Sequence, residues 1–124
     1  MPKKKVASLS NEIISLHRVQ HARSFHSRFM GLMGVAPGFD YALVFHLEKK
    51  GVLEASIHML FMRTPIDVLW LDERKRVVDW KLHVTPWTLN ASPRASAAYI
   101  VELPPHTLEG IRLKRAQKVE WDGE

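Results

Sequence analysis

Ile57-His58-Met59-Leu60-Phe61-Met62-Arg63-Thr64-Pro65-Ile66-Asp67-Val68-Leu69-Trp70-Leu71 is the most apolar stretch of the chain, and the rest of the domain must pack around it. Pro65 cannot donate to the ladder of a central strand, so it divides the stretch in two. Residues 52–62 read as a long strand with Ala55, Ile57, Met59 and Phe61 on one face and Ser56, His58, Leu60 and Met62 on the other. Residues 66–71 read as a strand buried on both faces, in which Asp67 shares a side with Leu69 and Leu71. A carboxylate in that setting is costly without a partner. Arg28 is the first candidate and Arg63 the second, because a guanidinium can pair bidentately with a carboxylate. The structural reading of Asp67 is a buried ion pair, or a carboxylate bonded to backbone, that fixes the turn at Pro65. The functional reading is a site acid or a ligand contact.

Before this stretch, residues 41–47 read as a strand rich in β-formers, and Glu48-Lys49-Lys50-Gly51 as a connection of hairpin length. Beyond the stretch, residues 72–76 form a charged turn. Val78, Trp80, Leu82 and Val84 then alternate with Asp79, Lys81 and His83, predicting a strand with one core face and one wet face. Residues 85–97 are the longest irregular piece; Trp87 within it either staples the loop to the core or belongs to an exposed surface. Strands are expected over 98–103, ended by Pro104-Pro105, and over 118–122.

On the amino-terminal side, residues 12–19 read as a first strand and residues 18–23 as a turn. Phe25, Phe29, Leu32 and Met33 fall at helical spacing, with Ser24 placed to cap and Gly34 to stop a short helix over about residues 24–33. The expected fold is therefore mainly β: a single-domain antiparallel sandwich or open barrel with that helix packed across it. Residues 1–10 are expected to form a basic, disordered tail and residues 11–124 the β-rich domain.

With 124 residues and 46% hydrophobic content, the chain can bury about two thirds of its unfolded surface without a metal or disulfide. Cysteine is absent, which excludes disulfides, thiolate catalysis and cysteine-ligated metal sites and is compatible with a reducing compartment. Lys3, Lys4 and Lys5 resemble the basic flank of a signal peptide, but polar residues interrupt the segment from Val6 to Leu16, and no run approaches a membrane span. A cytoplasmic location and no membrane partner are expected. The net charge of +5 is concentrated in the lysine tail and in Arg112, Lys114, Arg115 and Lys118, which permits attraction to a polyanion such as RNA.

Seven histidines offer no metal-ligand spacing, no glycine-rich loop opens a helix, and no nucleophile elbow is present. No catalytic residue, metal or cofactor is therefore assigned. Trp121, near Lys118, is the remaining candidate for stacking on a base.

The segment Arg28-Phe29-Met30-Gly31-Leu32-Met33, then Met59, then Pro65 to Asp72, and later Tyr99-Ile100-Val101-Glu102-Leu103-Pro104, resembles the family known as domain of unknown function 192. The resemblance implies a compact, mostly β fold without an established activity, and it places Arg28, Gly31, Leu32, Met33, Met59, Pro65 and Asp67 at signature positions. Two departures stand out. Around Met59 the chain has His58, Leu60, Phe61 and Met62 where members carry a polar run, and it has Ala116-Gln117 where members tend to have a glycine-aspartate turn. Many members carry export signals, for which this chain shows no apolar core.

The function expected from this reading is a non-catalytic binding or accessory β-domain, with Leu60, Phe61, Met62 and Trp87 as the surface patch and a protein or a small ligand as partner. The alternatives are a small-ligand or enzyme site using Asp67 with Arg28, and RNA or polyanion binding through the basic termini.

Overall fold

The computed structural model describes residues 5–23, 32, 34–59 and 61–122. Among them are eight strands and no helix: β1 (Ala7–Ser10), β2 (Ile13–Leu16), β3 (Val19–Ala22), β4 (Ala42–Gly51), β5 (Ile66–Leu71), β6 (Val77–Val84), β7 (Ala97–Leu103) and β8 (Lys118–Trp121). They form a three-stranded sheet in the order β1-β2-β8 and a five-stranded sheet in the order β3-β4-β7-β5-β6.

The five-stranded sheet is the frame. Its middle strands are the most apolar in the sequence, and β5 is buried along its whole length, as its unbroken run of large side chains requires. Leu43, Phe45, Val68, Trp70 and Ile100 lie on its first face, where Phe39, Ala55, Ile57, Met59 and Met62 cover them. Val44, Leu69, Leu71, Val101 and Leu103 lie on its second face, against Ile14, Leu16 and Val119 of the smaller sheet and Leu108 of the connection beyond β7. Two cores thus share one sheet.

Both sheets are mixed rather than antiparallel, and neither closes into a barrel: β2 pairs with β8 in parallel, and β3 pairs with β4 in parallel. The antiparallel expectation rests on hairpin-length connections, which hold for β1–β2 and β5–β6 but not for these long-range pairs. Residues 19–22 form β3 rather than a turn, because Ala42 to Phe45 offer them a ladder partner. β1 lies within the stretch expected to be a tail, paired with β2. The helix expected over about residues 24–33 is not borne out. Within it only Leu32 is described; Leu32 is in a turn, Gly34 stands just beyond at φ +73°, and the other positions lie outside the described residues.

The long strand expected over residues 52–62 is also absent among the described residues. β4 instead continues to Gly51 opposite Ala97, and the chain then turns across the first face. The expected alternation holds as far as Met59: Ala55, Ile57 and Met59 point into the core. There the backbone bonds go to the 85–91 loop instead of a ladder, through the Ile57–Ala91 bridge and Met59 N–H to the Thr88 carbonyl at 2.7 Å. The Trp70 indole N–H, donating to the Ala55 carbonyl at 2.8 Å, ties the same segment to the sheet.

In β6 the expected division into core and wet faces fails because the register slips twice against β5. Leu82 is exposed, and Asp79 is buried on the first face beside Trp70. Arg94 grips Asp79 from the 85–96 loop: its Nη2 and Nε donate to Oδ1 at 2.9 and 3.2 Å, and its backbone N–H to Oδ2 at 3.0 Å. Burial pushes the Asp79 carboxyl up, but the bonds from Arg94 and from the Trp80 amide outweigh it and hold the group below its ordinary value of 3.8. Arg94→Ala is expected to cost about 1–3 kcal/mol and to speed amide exchange across residues 85–96. Because the folded-state value is depressed, the stabilisation from Asp79 is present above the unfolded value and is lost as pH falls through the folded one. Urea titrations at pH 7 and pH 3 should therefore differ less for the variant than for the parent.

Candidate functional site

β4, β7, β5 and β6 run alternately up and down, so the segments entering β4 and β5 and those leaving β6 and β7 emerge at one end of the sheet. Phe61, Met62, Thr64 and Pro65 lead into β5, and Trp87 lies just past β6. Glu102 is one residue from the end of β7. The candidate site is this end of the first face.

Phe61 and Trp87 are 58% and 57% exposed, with ring centroids 5.2 Å apart in an edge-to-face arrangement. Neither is a loose side chain on a loose loop. Phe61 sits at φ +63° and Trp87 at φ +67°, a left-handed backbone that costs a bulky residue roughly 1–3 kcal/mol. Hydrogen bonds hold them there: Trp87 N–H to the Met59 carbonyl at 2.7 Å, Gly34 N–H to the Phe61 carbonyl at 3.0 Å, and the Thr88 hydroxyl to the Thr85 carbonyl at 2.8 Å. The turn at Phe61 breaks the alternation, so Phe61 faces water and Met62, 6% exposed, enters the core in its place. Of the expected patch, Phe61 and Trp87 are brought together, Met62 is withdrawn, and Leu60 lies outside the described residues. The Trp87 ring does not staple its loop; its backbone does.

Asp67 is 1% exposed and on the second face, with Leu69 and Leu71, as its position in the strand demands. Its Oδ1 accepts from His83 N–H at 2.9 Å and its Oδ2 from Leu108 N–H at 2.8 Å. His83 stands at φ +54° beside a register shift, so the carboxylate caps an irregular point of β6 and anchors the connection after β7. Among the described residues no guanidinium reaches it, and Arg63 is exposed. Arg28, Gly31 and Met33 lie outside the described residues. Met59 is in the core, and Pro65 precedes β5 with its carbonyl accepting from the Thr64 hydroxyl at 3.2 Å.

Glu102 enters the sequence reading only as part of a motif, yet it has the more unusual setting. It is 7% exposed in the central strand, flanked on the first face by Leu43 and Val68, and among the described residues its carboxyl makes no hydrogen bond or ion pair. Desolvation pushes it up to about 8, so the neutral acid is the main form at neutral pH. A signal for it exists in the chain: Ile100, Val101 and Leu103 surround it with the same apolar density that singles out Asp67.

The histidines pair off in ways their spacing does not suggest. His17 bonds the Ser8 hydroxyl at 2.9 Å, and His21 Nδ1 lies 2.7 Å from His46 Nε2, among the rings of Tyr99 and Trp121. Among the described residues no group of three histidine or carboxylate side chains could hold a metal ion, and no helix is long and apolar enough to cross a membrane.

Fold and site together define a mainly β domain of two mixed sheets with an exposed aromatic pair at one sheet end. The chain belongs to the family DUF192, "Uncharacterized ACR, COG1430", whose model matches residues 6–121. It is 40% identical over 107 residues to a UPF0127 protein of Thermococcus sibiricus, covering 86% of this chain and 68% of that one. It is 42% identical over 103 residues to a UPF0127 protein of Pyrococcus horikoshii, covering 83% and 86%. The Thermococcus relatives are longer proteins, and this chain spans about two thirds of their length. A crystal structure of a protein of unknown function from Novosphingobium aromaticivorans has the same fold, with a TM-score of 0.78 at 18% identity over 93% of this chain and 82% of that one.

Proposed function

We propose that the chain is a non-catalytic binding domain whose recognition surface is centred on Phe61 and Trp87, with an apolar polypeptide segment as partner. The observation that carries this reading is two large rings left in water on strained, hydrogen-bonded backbone. Such rings are rigid anchors: they offer apolar area and lose little conformational entropy when covered. Leu89, 76% exposed on the same loop as Trp87, extends the apolar surface. The lack of cysteine suits a domain working in a reducing, cytoplasmic setting.

A random-peptide display library selected against the folded domain tests this. Peptides rich in aromatic and leucine residues are expected to bind the parent protein and to lose at least tenfold in affinity against Phe61→Ser/Trp87→Ser. Both residues are exposed, so circular dichroism of the double variant should remain that of the parent. Peptides that bind both proteins equally, or a selection yielding none, would sink the reading.

The small-ligand or enzyme reading draws its support from Glu102 rather than from Asp67 with Arg28. Both Asp67 oxygens already accept backbone amides, whereas a buried carboxyl pushed to about 8 is the kind of group that functional sites use. The polyanion reading has less behind it, since Lys114 and Lys118 lie against Glu12 and Glu120 at 2.9 and 3.4 Å.

A further inference from the structure

A cleft of about 430 Å³ lies between β2, β8 and the turn over residues 72–76, and none of its lining comes from the segments that carry the aromatic pair. Its volume falls in the range of small-molecule sites, roughly 300–1,000 Å³. Arg74 and Lys75 form one wall, Trp121 contributes an indole, and Ser15 and His17 supply polar groups from β2 and the residue just past it.

The turn that carries the two cations is fixed. Asp72 Oδ1 accepts the amides of Arg74 and Arg76 at 2.9 and 3.0 Å, and Lys75 N–H donates to the Asp72 carbonyl at 3.0 Å. Val119 N–H reaches the Lys75 carbonyl at 3.0 Å and ties the turn to β8. Lys75 is held at φ +63°, and its ammonium sits 4.1 Å from the centre of the Trp121 ring. That contact covers one face of the indole, which argues against Trp121 as an open platform for a base.

The charges around the cleft are not evenly answered. Lys118 lies 3.4 Å from Glu120, Lys50 takes Glu73 at 3.5 Å, and Arg76 donates to the Ala116 carbonyl. Among the described residues the Arg74 side chain makes no hydrogen bond or ion pair, and its charge is answered only at a distance, by the neighbouring Glu73 carboxylate. The lining holds three permanent cations against the two carboxylates Glu120 and Asp122. A rigid turn that carries a guanidinium next to an ammonium, in a cleft also lined by Ser15, suits the oxygens of a tetrahedral oxyanion.

We infer that this cleft binds the phosphate group of a small phosphorylated molecule, independently of the Phe61–Trp87 surface. A nucleic-acid strand needs a continuous basic track, and here Glu12, Glu73, Glu120 and Asp122 interrupt the cations.

Titration of the intact domain with sodium pyrophosphate at constant ionic strength, monitored by amide and indole NMR shifts, tests the site. Saturable one-to-one shifts are expected at residues 74–76, at 118–121 and at the Trp121 indole, and Arg74→Ala should weaken them at least tenfold. Arg74 is exposed, so the variant should fold, and Lys81→Ala, altering an exposed cation outside the cleft, should leave the affinity unchanged. Shifts that do not saturate, that spread over lysines and arginines everywhere, or that survive in Arg74→Ala would overturn the inference. So would a uridine oligonucleotide that binds with a steep salt dependence where pyrophosphate does not bind.

Discussion

Asp67→Ala is expected to destabilise the protein by about 3–5 kcal/mol, the loss of two charge-assisted bonds to buried backbone. Removing the carboxylate takes away the acceptor of both His83 N–H and Leu108 N–H. Leu108 is itself 1% exposed, so at its amide water cannot replace the carboxylate without opening the second core. A small domain has only about 5–15 kcal/mol in total, so the variant should lie close to its unfolding threshold. Asp67→Asn separates this role from a ligand-binding one. Its amide oxygen can accept one of the two N–H groups, but its NH₂ then points at the other donor, and a loss of roughly 2–3 kcal/mol is expected. Urea denaturation measures both. A ligand contact would give the opposite result, an Asp67→Asn protein as stable as the parent but unable to bind.

How much of the fold and the site is legible in the chain depends on what each element pairs with. β5 is readable because its burial is written in consecutive residues, and Asp67 is readable as the one charge inside that run. The choice between a guanidinium and backbone amides is not, since both Leu108 and His83 come from distant segments and an amide leaves no mark in a sequence. Residues 52–62 show the converse. Period-two burial holds at Ala55, Ile57 and Met59, but alternation reports only which side chains go inward, and these residues bond to a loop rather than a strand. Nothing in the residue types forces Phe61 into a left-handed conformation, which is why its exposure and the burial of Met62 exchange places.

The parallel pairs are hidden for the same reason. β3 is too short and too polar to announce itself, and it becomes a strand because β4 lies beside it. One departure from the family pattern does carry information. Ala116 stands at φ +68°, where a glycine would carry no steric penalty, and Gln117 closes the turn by accepting Lys114 N–H at 3.1 Å and donating to the Arg112 carbonyl at 3.3 Å. In this chain it is Gln117 that supplies the hydrogen bonds of the turn.

Glu102→Gln is expected to make the protein more stable at neutral pH, by about 3 kcal/mol at pH 7. The sign comes from the folded-state value of about 8 against an ordinary value of 4.5. Between those limits the unfolded chain has already released the proton and the folded one has kept it. Folding then costs a proton uptake that grows by about 1.4 kcal/mol per pH unit. Below pH 4 both states are protonated and the penalty vanishes; above pH 8 both are ionised and it stops growing. Glutamine has nearly the volume of the protonated acid and no charge to bury, so it should fit between Leu43 and Val68 with little repacking. Its advantage should therefore disappear near pH 4 and be largest at pH 8. Parallel urea titrations of the two proteins from pH 4 to pH 8 would show two curves that diverge as pH rises. Parallel curves would mean that Glu102 is ionised in the fold at neutral pH and has a cationic partner. A diverging pair would mean that the sheet keeps a neutral, proton-donating carboxyl at the end where Phe61 and Trp87 stand. Residues that lower stability in this way are often those a site needs, and the same variant tested for peptide binding would show whether that donor belongs to the recognition surface.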